Sequence, residues 1–189
     1  MSTEENKFEK YKICKRSTSK VVCNVYLDAF KLNKVRFQNA SYKEKTSVEC
    51  YLEFETIALL ATDAASGRLI RKLDELAAEK KQMQVAIGGS KSSKTYNGKP
   101  ESRIMTFGKT GDTIFVNISR GKGKLGDKGQ IMPDGAPDAK IGVSMSVDDF
   151  RSMLIFTHDY VNAYLSRHVN ILVRDCEADR EEYLNSLNK

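Results

Sequence analysis

Apolar and polar residues alternate along four stretches of the first third of the chain, and this places strands near 9–16, 20–28, 33–39 and 47–55. The period then lengthens. Ile57, Leu60, Ala61 and Ala64 fall on one helical stripe, Glu55 and Thr56 cap its start, and the spacing predicts a helix from about 57 to 79, with Gly67 inside it as a weak point. The pattern then returns to period two, with strands expected at 82–88, 102–109, 113–120 and 139–147. Asp148 and Asp149 favour a helix start, and Phe150, Met153, Leu154, Thr157, Val161, Tyr164 and Leu165 form an amphipathic stripe to about 168. Gly88–Ser102 and Gly121–Lys140 read as long basic loops, and the acidic stretch from Asp175 to Leu187 as a short helix or an exposed tail.

The two halves resemble each other at an offset of 93 residues. Val21–Tyr26 falls on Ile114–Ser119, Lys31-Leu32 on Lys124-Leu125, and Val48, Cys50, Leu52 and Phe54 on Ile141, Val143, Met145 and Val147. Glu55-Thr56-Ile57 then falls on Asp148-Asp149-Phe150, where both halves turn helical. The expected fold class is α+β: two antiparallel four-stranded sheets, each followed by a helix (ββββα–ββββα, pseudo-twofold). It forms a single domain of two repeats, about 8–80 and 81–170, with an acidic segment at 171–189.

A chain of 189 residues buries a sizeable core without staples. Its four cysteines (Cys14, Cys23, Cys50, Cys176) form neither a C-x-x-C pair nor a zinc spacing, which suits a reducing compartment. It has no apolar run of membrane-spanning length, and its first residues have neither the order of a signal peptide nor the composition of a transit peptide. A cytoplasmic or nucleoid-associated protein that does not engage membranes is expected.

The net charge of +6 is unevenly distributed. Residues 7–45 hold 11 Lys/Arg against three acids, residues 80–128 hold another 11 against three, and the rest of the chain holds 9 basic and 19 acidic residues. Such segregation points to a polyanionic partner. Alternation also sorts each strand into two rows. Val22, Asn24, Tyr26 and Asp28 lie opposite the apolar row of their strand, as do Phe115, Asn117 and Ser119 of theirs. Arg103, Met105, Phe107 and Lys109 share a row, as do Lys34, Arg36 and Gln38.

Cations beside rings on a sheet face suit unpaired nucleic acid, because splayed bases stack on the rings while phosphates meet the cations. Neither helix carries the basic face that would enter a duplex groove. The candidate contacts are Lys15, Arg16, Lys20, Lys34 and Arg36, with Lys91, Lys94, Arg103, Lys109, Arg120, Lys122 and Lys124; Tyr26, Tyr96, Phe107 and Phe115 are the stacking candidates.

ESRIMTFGKTGD, TIFVNISRG and IGVSMSV leading into DDFRSMLIFTHDYVNAYLSRHV, together with the shorter YLEFETIALLATDAASG, give the chain a pattern that resembles the Whirly family of single-stranded DNA-binding proteins. The likeness covers nearly the whole chain as an architecture more than as identities. Where that family carries a lysine-glycine-lysine run near its first strands, this chain has Lys12, Lys15, Arg16 and Lys20, and Gly121-Lys122-Gly123-Lys124 lies elsewhere. The resemblance implies a homo-oligomer, a tetramer assembled through the helices, that binds single strands across neighbouring subunits with little sequence preference.

Other motifs carry less. Gly121, Gly123 and Gly126 satisfy G-x-G-x-x-G, but Pro133 follows where a dinucleotide fingerprint needs a helix. His158 and His168 have no companion ligands, and no serine or cysteine has a recognisable base. The expectation is therefore a non-enzymatic, cofactor-free and metal-free binder of single-stranded DNA that protects or organises it in replication, recombination, repair or transfer. The alternatives are an RNA-binding regulator of the same fold and an oligomeric structural or adaptor protein.

Overall fold

The computed structural model describes residues 11–28 and 34–187, with side chains described as far as residue 167 apart from Asp28. The first four alternating stretches form a meander of antiparallel strands: β1 (Lys12–Ser17), β2 (Val21–Asp28), β3 (Lys34–Ser41) and β4 (Thr46–Glu53). One face of this sheet is apolar, with Cys23, Val25, Leu27, Val35, Phe37, Val48, Cys50 and Leu52 all buried. A bulge near Ile13 breaks the register of β1 against β2.

The expected single helix over 57–79 is two helices, α1 (Phe54–Ala65) and α2 (Arg68–Ala78). Gly67 breaks them apart: its backbone adopts φ 75°, a left-handed conformation that costs glycine no side-chain clash. The second sheet follows with β5 (Met83–Ser90), β6 (Glu101–Thr110), β7 (Thr113–Leu125), β8 (Ile131–Pro133) and β9 (Ala139–Ser146). A single turn of 3-10 helix at Lys94–Tyr96 lies between β5 and β6.

The second sheet has five strands where four are expected. β7 runs past the expected end at 120, pairing with β9 over Thr113–Arg120 and then with the short β8 over Gly123–Leu125. The expected loop over Gly121–Lys140 therefore contains strand. Gly121 and Gly123 lie in β7, where a Cβ would come to 3.0 Å from neighbouring atoms, so these two glycines of the motif serve close strand packing.

The offset of 93 residues holds at the strand-to-helix junction and fails one strand earlier. Leu52 and Met145 occupy matching places in β4 and β9, 93 positions apart. Their cross-strand partners are Val35 of β3 and Ile114 of β7, only 79 apart. The counterpart of β7 by pairing is thus β3, and the match of Val21–Tyr26 to Ile114–Ser119 links strands in different positions. The longer connection from β7 to β9 accounts for the difference. Lys31-Leu32 lies outside the described residues.

α3 (Val147–Leu187) is one helix of 41 residues, and it absorbs the acidic stretch expected to be a separate tail or short helix. Ser146 opens it: the hydroxyl accepts a hydrogen bond from the Asp149 N–H (3.0 Å) and donates to the Asp149 carboxylate (2.9 Å). Its first turns pack antiparallel to α1, with Tyr164 edge-on to Phe54 and the Arg151 guanidinium donating to the Ala64 carbonyl at 3.0 Å.

The sheets meet on their apolar faces. β4 lies across β5, β6, β7 and β9, and β9 lies across β1 to β4, so the strands of the two layers cross. One hydrophobic cluster joins both sheets and the three described helices. Within it Asn39 is fully buried, and its amide donates to the carbonyls of Val116 (2.8 Å) and Ile141 (2.9 Å) in the opposing sheet. Among the described residues no helix is long and apolar enough to cross a membrane.

Candidate nucleic-acid interface

The side of the first sheet turned away from the core carries its polar rows. Cross-strand registers align Lys15, Asn24, Gln38 and Glu49 in one row and bring Lys12, Tyr26, Arg36 and Tyr51 together in the next. In that second row the Tyr26 ring has the Arg36 guanidinium at 4.6 Å and the Lys12 ammonium at 5.7 Å from its centroid. The ring is 8% exposed. Tyr26 is therefore the floor beneath two cations and not the open stacking platform expected from its row.

β4 is the last strand of the first sheet and β5 the first of the second, and the two edges face each other across a cleft of about 530 Å³. Lys34, Glu49, Tyr51 and Arg103 line this cleft, along with the bare backbone of Gly88 and Gly89. Gly89 has no substitute: its φ is +149°, and a Cβ would lie 1.7 Å from the Glu101 carbonyl oxygen. Arg103 reaches across the cleft to the first sheet, bonding Glu49 at 3.1 Å with its guanidinium 5.6 Å from the Tyr51 ring centroid. Arg36 meets the other oxygen of the same carboxylate at 3.5 Å, and the Tyr51 hydroxyl donates to Glu49 at 3.0 Å. The row on the first sheet thus continues onto the second without a gap.

A buried carboxylate holds Arg103 in place. Glu101 is 1% exposed, accepts from Arg103 Nε at 2.6 Å and accepts from the Ser93 hydroxyl at 2.6 Å. Burial alone would raise its pKa, but the hydrogen bonds from Ser93 and Arg103, with the charges of Arg103 and Arg120, hold it below the ordinary glutamate value. Arg120 faces Arg103 across the β6–β7 ladder, and its Nε is buried without a hydrogen-bond partner.

The other candidates divide by location. Lys34 sits at the cleft mouth, paired with Glu53 at 2.8 Å. Lys15 and Lys20 are exposed on β1 and the β1–β2 turn. Lys91 and Lys94 are exposed on the connection between β5 and β6, Lys122 and Lys124 on the far end of β7. Tyr96 is half-buried, and its hydroxyl donates to Asp138 at 2.8 Å, which ties that connection to the one before β9.

Four candidates fall elsewhere. Phe107 is fully buried and stands edge-on to Phe150 at 4.8 Å, so it belongs to the core and offers no ring to a base. Alternation groups its row correctly, but that row faces inward. Lys109, at the far end of the same row, pairs with Asp74 of α2. Arg16 lies beside Asp149 at the start of α3, at 3.3 Å. Phe115 is half-buried on the outer face of the second sheet, opposite Ser144.

Lys12, Glu49, Tyr51 and Glu101 take part in the connected surface although none is among the sequence candidates. Alternation in β4 marks Glu49 and Tyr51 as polar-row residues, but nothing in the pattern shows that one carboxylate serves arginines of both sheets.

Burial raises the thiol pKa of Cys23 and of Cys50, the latter to about 11, so both are poor nucleophiles. Among the described residues no group of three His, Cys, Asp or Glu is placed to hold a metal ion. No family model, curated protein or solved structure matches the chain.

Proposed function

We propose that the protein binds single-stranded DNA, with little dependence on base sequence, along the surface that runs from the outer face of the first sheet across the β4–β5 cleft. One observation carries this reading: Lys12, Tyr26, Arg36, Tyr51 and Arg103 form an unbroken succession of cations and rings spanning both sheets. Exposed Lys15 and Lys20 on the first sheet, with Lys91 and Lys94 on the β5–β6 connection, add positive charge. Phosphates would be bound by these cations and bases would lie against Tyr51 and the arginine planes. Phe107, Lys109, Arg16 and Phe115 lie away from this surface.

The Whirly-like reading draws support from the two crossed antiparallel sheets, each leading directly into a helix. In that reading the protein is a homo-oligomer, with a tetramer favoured, that shields exposed strands during replication, recombination, repair or transfer. The test is fluorescence anisotropy with labelled single-stranded DNA, the same sequence as RNA, and its duplex, each at two salt concentrations. Single-stranded DNA is expected to bind tightest, with affinity falling as salt rises. Equal or tighter duplex binding would sink the proposal, and an RNA preference would move it to the RNA-handling alternative.

A further inference from the structure

We infer that the position of the Glu49 carboxylate is an anion subsite for a phosphodiester group, and that Glu49 competes with the bound strand for it. The inference rests on the nucleic-acid reading above and names the group by which that surface is regulated.

Three donors converge on this one carboxylate. Arg103 Nη1 lies at 3.1 Å from one oxygen, which also accepts from the Tyr51 hydroxyl at 3.0 Å, and Arg36 Nη1 lies at 3.5 Å from the other. Each arginine is fixed independently of Glu49. Arg103 is held through Nε by the buried Glu101, itself held by Ser93, and Arg36 is held against the Tyr26 ring. Two guanidiniums from two sheets therefore keep their places when the carboxylate moves, and the donor set is preorganised for an anion.

A phosphodiester satisfies the same donors. Like a carboxylate it offers two oxygens that share one negative charge, and guanidinium forks bind either. The site also opens toward solvent: Glu49, Tyr51 and Arg103 line the β4–β5 cleft, and the Glu49 side chain is 29% exposed. A phosphate arriving there meets a like charge unless Glu49 turns outward. Glu49 thus lowers the affinity of the subsite for an anion without abolishing it.

Glu49→Gln retains the shape and the acceptor for Tyr51 while removing the competing charge. Expected are several-fold tighter binding of single-stranded DNA at low salt, and a log–log salt dependence steeper by about 0.7 for each additional phosphate neutralised. The wild-type protein supplies a second readout. In an NMR titration with inorganic phosphate, the Nε–H signals of Arg36 and Arg103 should shift before that of Arg68, whose partner Asp63 is on the surface.

Unchanged or weaker DNA binding by folded E49Q, with arginine shifts no earlier than Arg68, would overturn the inference and leave Glu49 as a tie between sheets. Phosphate-dependent shifts at Arg36 and Arg103 without oligonucleotide binding by either protein would keep the anion subsite and reject the nucleic-acid reading. Neither response in either protein would reject both.

Discussion

The two sheets have comparable ladders but very different outer faces. On the first, the rows facing away from the core hold Lys12, Lys15, Lys34 and Arg36 around two tyrosines. On the second, the corresponding rows hold Thr106, Phe115, Asn117, Ser119 and Ser144, and among the described residues their only cation is Lys140. Gln82 lies over the centre of that face, accepting from Thr106 at 2.9 Å. The cations of the second sheet instead gather at the inward side of its far end, where Arg103 and Arg120 face each other and Lys122 follows. Similar strand patterns therefore yield one charged face and one neutral face, and Arg103 carries charge of the second half to the charged face of the first at the β4–β5 rim.

Substitutions can break or sharpen this contrast. The largest effect is expected from Phe107→Ala, which empties a fully buried site against Phe150 and should cost about 3–5 kcal/mol in urea unfolding. The same variant, measured under conditions where it remains folded, should bind single-stranded DNA like the wild type. A specific loss of binding would return Phe107 to the interface.

Arg103→Met should destabilise by less, about 2–3 kcal/mol, because Glu101 loses its charged partner in a buried place but keeps Ser93. Unlike F107A, it should also weaken DNA binding and flatten the salt dependence. If binding by the folded protein is unchanged, the rim is not part of the track.

Acid sharpens the role of Glu101. Its folded pKa lies below the ordinary 4.5, so it contributes stability in full above that value and loses it as pH falls through the folded pKa. Urea midpoints should therefore decline below about pH 4.5. Glu101→Gln should be less stable near neutrality and should lose part of that decline. An E101Q protein with the wild-type acid profile would show that other carboxylates govern it.

The smallest effect separates the two outer faces directly. Lys15→Gln should weaken single-stranded DNA binding modestly and reduce the salt slope by about 0.7, whereas Lys140→Gln should leave both unchanged. Equal effects from the two would mean that charge acts without regard to face.

Much of the architecture is legible because alternation is a local signal. Eight strands lie close to where Val22–Asp28, Val48–Leu52 or Ile141–Met145 alternate, and the stripe from Phe150 to Val161 is the buried side of α3. Three features escape for physical reasons. Gly67 marks the helix break only through a left-handed φ that local periodicity does not display. β8 is three residues long, with Pro133 at its end, too short to alternate. The acidic end of the chain extends α3 without the stripe that marks its beginning.

At the site, sequence yields which residues share a row but not which row faces inward. For Phe107 the apolar companions Met105 and Val116 decide the matter, and they do so only once the strands are paired. The meeting of Arg36, Glu49 and Arg103 is a contact between sheets, so no spacing along the chain announces it.

Asn39 sets the tolerance of that meeting. Its amide fits two particular carbonyls of the facing layer, and it lies on the same strand as Arg36, three positions on. Sliding one layer by a single residue, about 3.4 Å, would strand the amide in an oily interior and pull the two guanidiniums apart. Greasy surfaces alone would accept several such alignments. A polar key therefore indexes the two layers, and the spacing of charges on the outside is inherited from a pair of bonds made in the dark centre of the molecule.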